Sequence, residues 1–291
     1  MIGFLESLQN KQPLVFDGAM GSMLAQAGLT ESAGLANIEH PQQVYDIHRA
    51  YIEAGAQCLI TNTLTLNSVY MKKAGQAALL EKSLYAGIEQ ALKAAEGKVF
   101  VFGDMGPAGE LLKPYGSGDS GAFYEAYCQQ AAVFAETALS GIIIETVFSL
   151  AEAQIMLNAC RDAAPCLPVI LSMTFAKTKD GGRTMMGDKA VDIAVTAKQA
   201  GACAVGANCG DLYPQEFAVV MQAMAPAGLP LIAQPNAGKP QLCAGKVVYD
   251  LDPNSFAADM LALRTAGASM LGGCCGTTPA HIAALTKAVM Q

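Results

Sequence analysis

Three cysteines stand where thiols could act together. Cys209 closes the apolar run CAVGANCG, and Cys274 and Cys275 lie side by side in MLGGCCGTTP. Neighbouring cysteines strain badly as a disulfide with each other, so the pair needs another use. Three convergent thiols with an open fourth position are the arrangement of a catalytic zinc site, whereas a closed structural site takes four protein ligands. Zinc makes adjacent thiolates compatible because the metal carries the compensating charge. The flanking glycines let both thiols turn to one side, where a regular strand would send them to opposite faces. Spacing alone leaves two other uses open. One is a phosphate cradle, since GTTPAHIAAL opens a helix with threonine caps and Pro279 in its first turn; the other is a redox pair. A phosphate site, however, has no need of cysteine.

The elements that must position these thiols can be read from hydrophobic periodicity. Eight β-rich apolar runs recur, each followed by a helical stretch: 14–17, 57–63, 98–104, 141–146, 168–175, 203–210, 229–238 and 269–276. Their cores are nearly continuous in apolar residues, as expected of parallel strands buried on both faces. Between them, residues 41–54 open on Pro41 and place Val44, Ile47, Tyr51 and Ala54 on one helical face. Residues 255–266 start with a Ser255 cap and align Phe256, Met260 and Leu263. Three helices end in Ala-Gly-Ala before the next strand, where glycine closes the helix. Eight βα units without a linker argue for a single (β/α)8 TIM barrel, one domain over residues 1–291. The alternative, a doubly wound sheet, would carry a glycine-rich dinucleotide turn, and DGAMGSM does not match one.

In such a barrel the chemistry sits at the C-terminal strand ends. These read Asp17, Thr61 and Asn62, Asp104, Glu145 and Thr146, Thr174, Asn208 and Cys209, Asn236, then Cys274 and Cys275. A single polar strand end is an ordinary turn or cap residue; eight in succession, three of them cysteine, ask for more. Alternate strands feed one inward layer, so the sixth and eighth can aim Cys209, Cys274 and Cys275 at a common spot.

Composition removes several function classes. The net charge is −7, with no basic footprint for nucleic acid. No apolar run reaches the roughly 18 residues of a membrane span, and the N-terminus reads as mature cytoplasmic sequence. The nine cysteines are odd in number and irregularly spaced in a core-rich chain, so a disulfide framework is not expected. Most read as small buried hydrophobes. None of the three histidines ends a strand, and His48 reads as a packing residue.

The segments DGAMGSML, YIEAGAQCLITNT, GDMGPAGEL, GIIIET, GANCG, QPNAGKP and GGCCGTTPAHI together resemble the homocysteine S-methyltransferase family. The likeness is nearest to the homocysteine-binding barrels of cobalamin-dependent methionine synthases and runs over roughly residues 12–288. It implies a zinc ion held by Cys209, Cys274 and Cys275, with the substrate thiol in the fourth position. It also implies that Glu145 binds the substrate ammonium, that Asp17 shapes the amino-acid pocket, and that Asn236 can approach the metal when no thiol is bound. The chain departs from the family pattern at Leu64, where Phe is common, and at VFSL after Glu145 and Thr146.

The expected reaction is transfer of a methyl group to the homocysteine thiolate, giving methionine. A donor whose leaving group is stable without a proton, as cob(I)alamin is, needs no general acid, and no strand-end histidine is present to be one. A cationic methyl donor is commonly caged by aromatics, and this chain has no Trp. The favoured donor is therefore a methyl-corrinoid on a separate protein. The alternatives are a small sulfonium or ammonium donor (S-methylmethionine or betaine), or a non-catalytic zinc-binding subunit of a methyltransferase complex.

Overall fold

The computed structural model describes residues 3–9, 12–29, 32–176, 180–243 and 246–290. Its centre is a ring of parallel strands. Numbering the barrel strands alone, these are β1 (Leu14–Val15), β2 (Cys58–Ile60), β3 (Phe100–Met105), β4 (Gly141–Val147), β5 (Val169–Met173), β6 (Ala204–Asn208), β7 (Leu231–Gln234) and β8 (Ala268–Leu271). Neighbours pair in parallel in the order β1-β8-β7-β6-β5-β4-β3-β2. A Phe16–Cys58 bridge joins the two ends, with the Asp17 N–H donating to the Cys58 carbonyl at 3.0 Å. Each of the eight runs read from periodicity coincides with a strand of this TIM barrel; five strands lie inside their runs, while β3 and β4 extend one residue past theirs and β8 begins one residue earlier.

Alternation along the strands divides the apolar residues between two cores. The inward set, including Phe16, Cys58, Phe102, Ile143, Ile170, Ile232 and Met270, fills the barrel. Phe4, on the short helix Phe4–Ser7, packs edge-on against Phe100 and Phe102 with centroids 5.6 and 4.7 Å away. Phe100 begins β3, so this plug seals the N-terminal end of the barrel and leaves the C-terminal end for polar groups. The outward set packs under the helices, and each fully buried Ile or Phe contributes about 2–3 kcal/mol.

Both helices expected from periodicity are present, with small shifts of their ends and one change of cap. The first helix singled out spans Pro41–Glu53 and buries Val44, Ile47, His48 and Tyr51. The later one spans Pro253–Thr265, two residues earlier than expected, and Asp252 rather than Ser255 caps it. A carboxylate can take both the Asn254 and Ser255 N–H groups, and Pro253 presets the first turn. Gly55, Gly201 and Gly267, in the three Ala-Gly-Ala endings, have φ of 98°, 83° and 107°, the left-handed conformation that ends a helix. Sequence reading missed an antiparallel hairpin, Pro240–Cys243 with Lys246–Tyr249, inserted between β7 and the next helix. Among the described residues no helix is long and apolar enough to cross a membrane.

Candidate metal and thiol site

Cys209, Cys274 and Cys275 meet at the C-terminal mouth, their sulfurs all within 4.8 Å of one another. The Cys209 and Cys275 Sγ atoms are 3.9 Å apart. Thiolates sharing one tetrahedral zinc at about 2.3 Å each would lie about 3.8 Å apart, so the separation suits a common metal. It is far beyond a disulfide of about 2.05 Å, and all three are free thiols. Among the described residues no other group of three or more His, Cys, Asp or Glu side chains is arranged to hold a metal.

The convergence depends on an unusual backbone. Cys209 follows β6 with φ +54°, a left-handed conformation rare outside glycine. Thr146, at the end of β4, has φ +62°. Such strain persists only where the surroundings over-determine it, and it collects at functional sites. Here one side chain ties both corners together. Asn208, fully buried, accepts from the Thr146 N–H at 3.0 Å and from the Ser172 hydroxyl at 2.9 Å. Its Nδ2 donates to Thr146 Oγ1 at 2.8 Å and approaches Cys274 Sγ at 3.8 Å. The cysteine-pair loop is stitched to both neighbouring strand ends: the Gly273 N–H donates to the Asp17 carbonyl and the Cys274 N–H to that of Pro235. Gly276 must be glycine twice over, with φ +80° and a Cβ position only 2.2 Å from Cγ of Tyr249 on the hairpin.

The thiols share protons unevenly. Hydrogen bonds from Cys209 and Cys274, aided by one from Tyr249, pull Cys275 down to about 3. Cys274 is raised well above the ordinary thiol range by its bonds to Cys209 and Cys275 and then by burial. Cys209 gains a lowering bond from Cys274, but its bond to Cys275 and burial carry it up to about 12. Hydrogen bonding within the cluster thus favours the thiolate at Cys275 and the thiols at Cys274 and Cys209. A soft divalent cation replacing those two protons satisfies the same three sulfurs, and so the donor set fits zinc.

The other expected site residues lie around this cluster. Asp17 is buried, and its Oδ2 accepts from the Ile60 N–H at 3.0 Å. Burial raises it well above the usual carboxylate range, that bond opposes the rise, and Glu145 adds to it. Glu145 is pushed up to about 7, first by burial and then by the charge of Cys275. Asn236 donates to the Gly210 carbonyl at 2.9 Å, bracing the turn behind Cys209, while its buried Oδ1 has no partner among the described residues. Two contributors escaped the sequence reading. Asn208 was visible only as a polar strand end. Tyr249 lies on the unforeseen hairpin, for which the Val247-Val248-Tyr249 run was the available signal.

A family profile described as Homocysteine S-methyltransferase matches residues 14–289. Among curated relatives, the methionine synthases of Mycobacterium leprae and Mycobacterium tuberculosis are each 29% identical, over 99% and 96% of this chain. The chain spans about a quarter of the length of those relatives, 25% in each case. Among solved structures, the metallated form of the homocysteine methyltransferase MmuM from Escherichia coli superposes with a TM-score of 0.80. It is 24% identical, with 97% of this chain and 98% of that one covered. That likeness is one of fold.

Proposed function

The chain belongs to the homocysteine S-methyltransferase family, a family of methyltransferase enzymes, and from that premise we propose that it methylates the homocysteine thiol in a zinc-dependent reaction, giving methionine. The methyl donor we assign is a methyl-corrinoid carried on a separate protein. The observation that carries the zinc-dependent reading is the convergence of Cys209, Cys274 and Cys275, half-buried, which supplies three of the four ligands a tetrahedral zinc takes.

An alkyl thiol is mostly protonated at neutral pH, and its thiolate is the nucleophile. When bound, zinc supplies the positive charge that lets the substrate sulfur shed its proton at neutral pH. The three cysteine thiolates reduce that charge to −1 overall, so the fourth sulfur stays electron-rich. Asn208 steadies Cys274 and the Thr146 corner from below. Glu145 receives the substrate ammonium and Asp17 helps shape the amino-acid pocket, which fixes the thiol's approach. The sulfur attacks the methyl carbon in line; the S–C bond forms as the donor's bond to that carbon breaks, and the donor departs with the electron pair. A corrinoid accepts that pair without a proton, and two of the three histidines are otherwise engaged: His281 is tied to Thr278 and the Leu251 carbonyl, and His48 is buried in its helix.

One observation favours a second donor class. Tyr249 sets an aromatic ring over Gly276 beside Cys275, and aromatic faces attract cationic methyl groups. A small sulfonium or ammonium donor such as S-methylmethionine or betaine is therefore the alternative. The deciding experiment supplies the zinc-loaded chain with homocysteine and, in parallel, a methylated corrinoid protein, S-methylmethionine or betaine. Methionine formed fastest from the corrinoid supports the reading. Turnover from a cationic donor alone replaces the donor, and no methionine from any donor refutes the enzymatic reading.

A further inference from the structure

The hairpin Pro240–Cys243 with Lys246–Tyr249 returns one side chain to the thiols, and its base is anchored to them. Tyr249 pairs with Pro240 at that base. Just outside the pair, the Ala237 N–H donates to the Cys275 carbonyl at 3.0 Å and the Leu251 N–H to the Ala237 carbonyl at 3.1 Å. The Leu251 carbonyl in turn meets Nε2 of His281 at 3.0 Å. Asp250 adds a clasp. Its carboxylate accepts from the Lys239 N–H at 3.2 Å, from Gln241 Nε2 at 3.0 Å and from the Tyr213 hydroxyl at 3.3 Å. Tyr213 belongs to the segment that follows Cys209, and Lys239 Nζ lies 4.8 Å from the centre of its ring. The hairpin base is therefore tied to both chain segments that carry the thiols.

Between these anchors the half-buried Tyr249 has little freedom. Its side chain rests on Gly276, where a Cβ would meet its Cγ, Cδ2 and Cβ at 2.2, 2.4 and 2.6 Å. From that seat its hydroxyl hydrogen-bonds Cys275. A thiolate carries no proton, so in that bond the phenol donates. The Asn208 amide approaches Cys274 Sγ at 3.8 Å from within the barrel, and Tyr249 is its counterpart for Cys275 from the rim. A donor on a thiolate ligand draws off part of the sulfur's charge and fixes its direction, and such partners set metal affinity.

We infer that Tyr249 is a positioning residue for the metal centre: its hydroxyl donates to the Cys275 sulfur, holding that ligand in place and withdrawing charge from it. Less negative charge then reaches the metal from Cys275, and the fourth sulfur meets a more positive centre. The inference rests on the thiol cluster being the metal centre of the proposed function, but not on homocysteine or on any methyl donor.

The test loads wild type, Tyr249→Phe and Tyr249→Leu with cobalt(II), whose charge-transfer absorption reports its thiolate ligands, and measures zinc affinity by chelator competition. Tyr249→Phe keeps the ring and loses only the hydroxyl. Its thiolate-to-cobalt bands should move to longer wavelength, because the sulfur electrons are no longer stabilised by a donated proton. Its zinc affinity should fall on the order of 10-fold. Tyr249→Leu should match it in both readouts, since the hydroxyl and not the ring carries the effect. Bands and affinity unmoved in Tyr249→Phe, or changes confined to Tyr249→Leu, overturn the inference. Absence of thiolate bands in the wild type overturns the metal reading and this inference with it. Bands that shift in Tyr249→Phe, in a protein that forms no methionine from homocysteine, keep this inference and refute the proposed substrate.

Discussion

Replacing Asn208 by Ala should strike the fold and the metal site together. The residue is fully buried, and its carboxamide is the shared partner of the Thr146 N–H, the Thr146 hydroxyl and the Ser172 hydroxyl. Truncation leaves those groups unpaired in the barrel interior. A buried unsatisfied polar group costs about 1–3 kcal/mol, but the two hydroxyls can rotate to lesser partners, so the net loss is about 3 kcal/mol. An unfolding entropy of about 2 cal/mol/K per residue over 291 residues converts this to a fall in melting temperature of about 5 °C. The amide also reaches Cys274 Sγ at 3.8 Å, and loss of a partner behind a metal ligand typically weakens metal binding about 10- to 100-fold. Urea denaturation of the metal-free protein and a zinc competition titration with a chelator measure the two effects separately. Stability within about 1 kcal/mol of wild type, with unchanged zinc affinity, would refute the claim that this amide holds the β4 and β6 corners and the thiol in one network.

Other outcomes follow from single residues. Because Cys209 has φ +54°, metal-free Cys209→Gly should be more stable than Cys209→Ala by about 1 kcal/mol, the reverse of the usual order; an Ala variant at least as stable would remove the strain argument. Among the described residues neither ring nitrogen of the buried His48 has a partner, and burial lowers it to about 4. Its neutral form is favoured in the folded state, so the stability it contributes is complete above the unfolded value of about 6.5 and is lost as pH falls towards 4, to a limit of about 3 kcal/mol. His48→Leu should flatten the stability profile between pH 7 and 4.5 by nearly that amount, and parallel profiles would contradict it. Glu145→Gln should raise the homocysteine KM on the order of 10- to 100-fold with zinc content intact; if thiols lacking an amine lose as much activity, the carboxylate has another job.

The barrel was legible because parallel strands buried on both faces write themselves as apolar runs, and because Ala-Gly-Ala marks helix ends that need a left-handed residue. The thiol cluster was legible because cysteines among glycines at strand ends have no packing explanation. What escaped was tertiary. Asn208 looks like any polar strand end until Thr146 and Ser172 are brought to it from two other strands. The Asp252 cap was overlooked because Ser255, nearer the apolar periodicity, offered the same chemistry. The hairpin carrying Tyr249 is a short excursion from the βα rhythm, and its few residues were absorbed into a loop.

X-ray absorption at the zinc edge, recorded before and after homocysteine is added, tests the central claim most directly. The account predicts one zinc per chain with three sulfur neighbours from Cys209, Cys274 and Cys275, rising to four when homocysteine binds. A sulfur count unchanged by homocysteine, or a metal retained in full after both Cys209→Ser and Cys275→Ser, would contradict it.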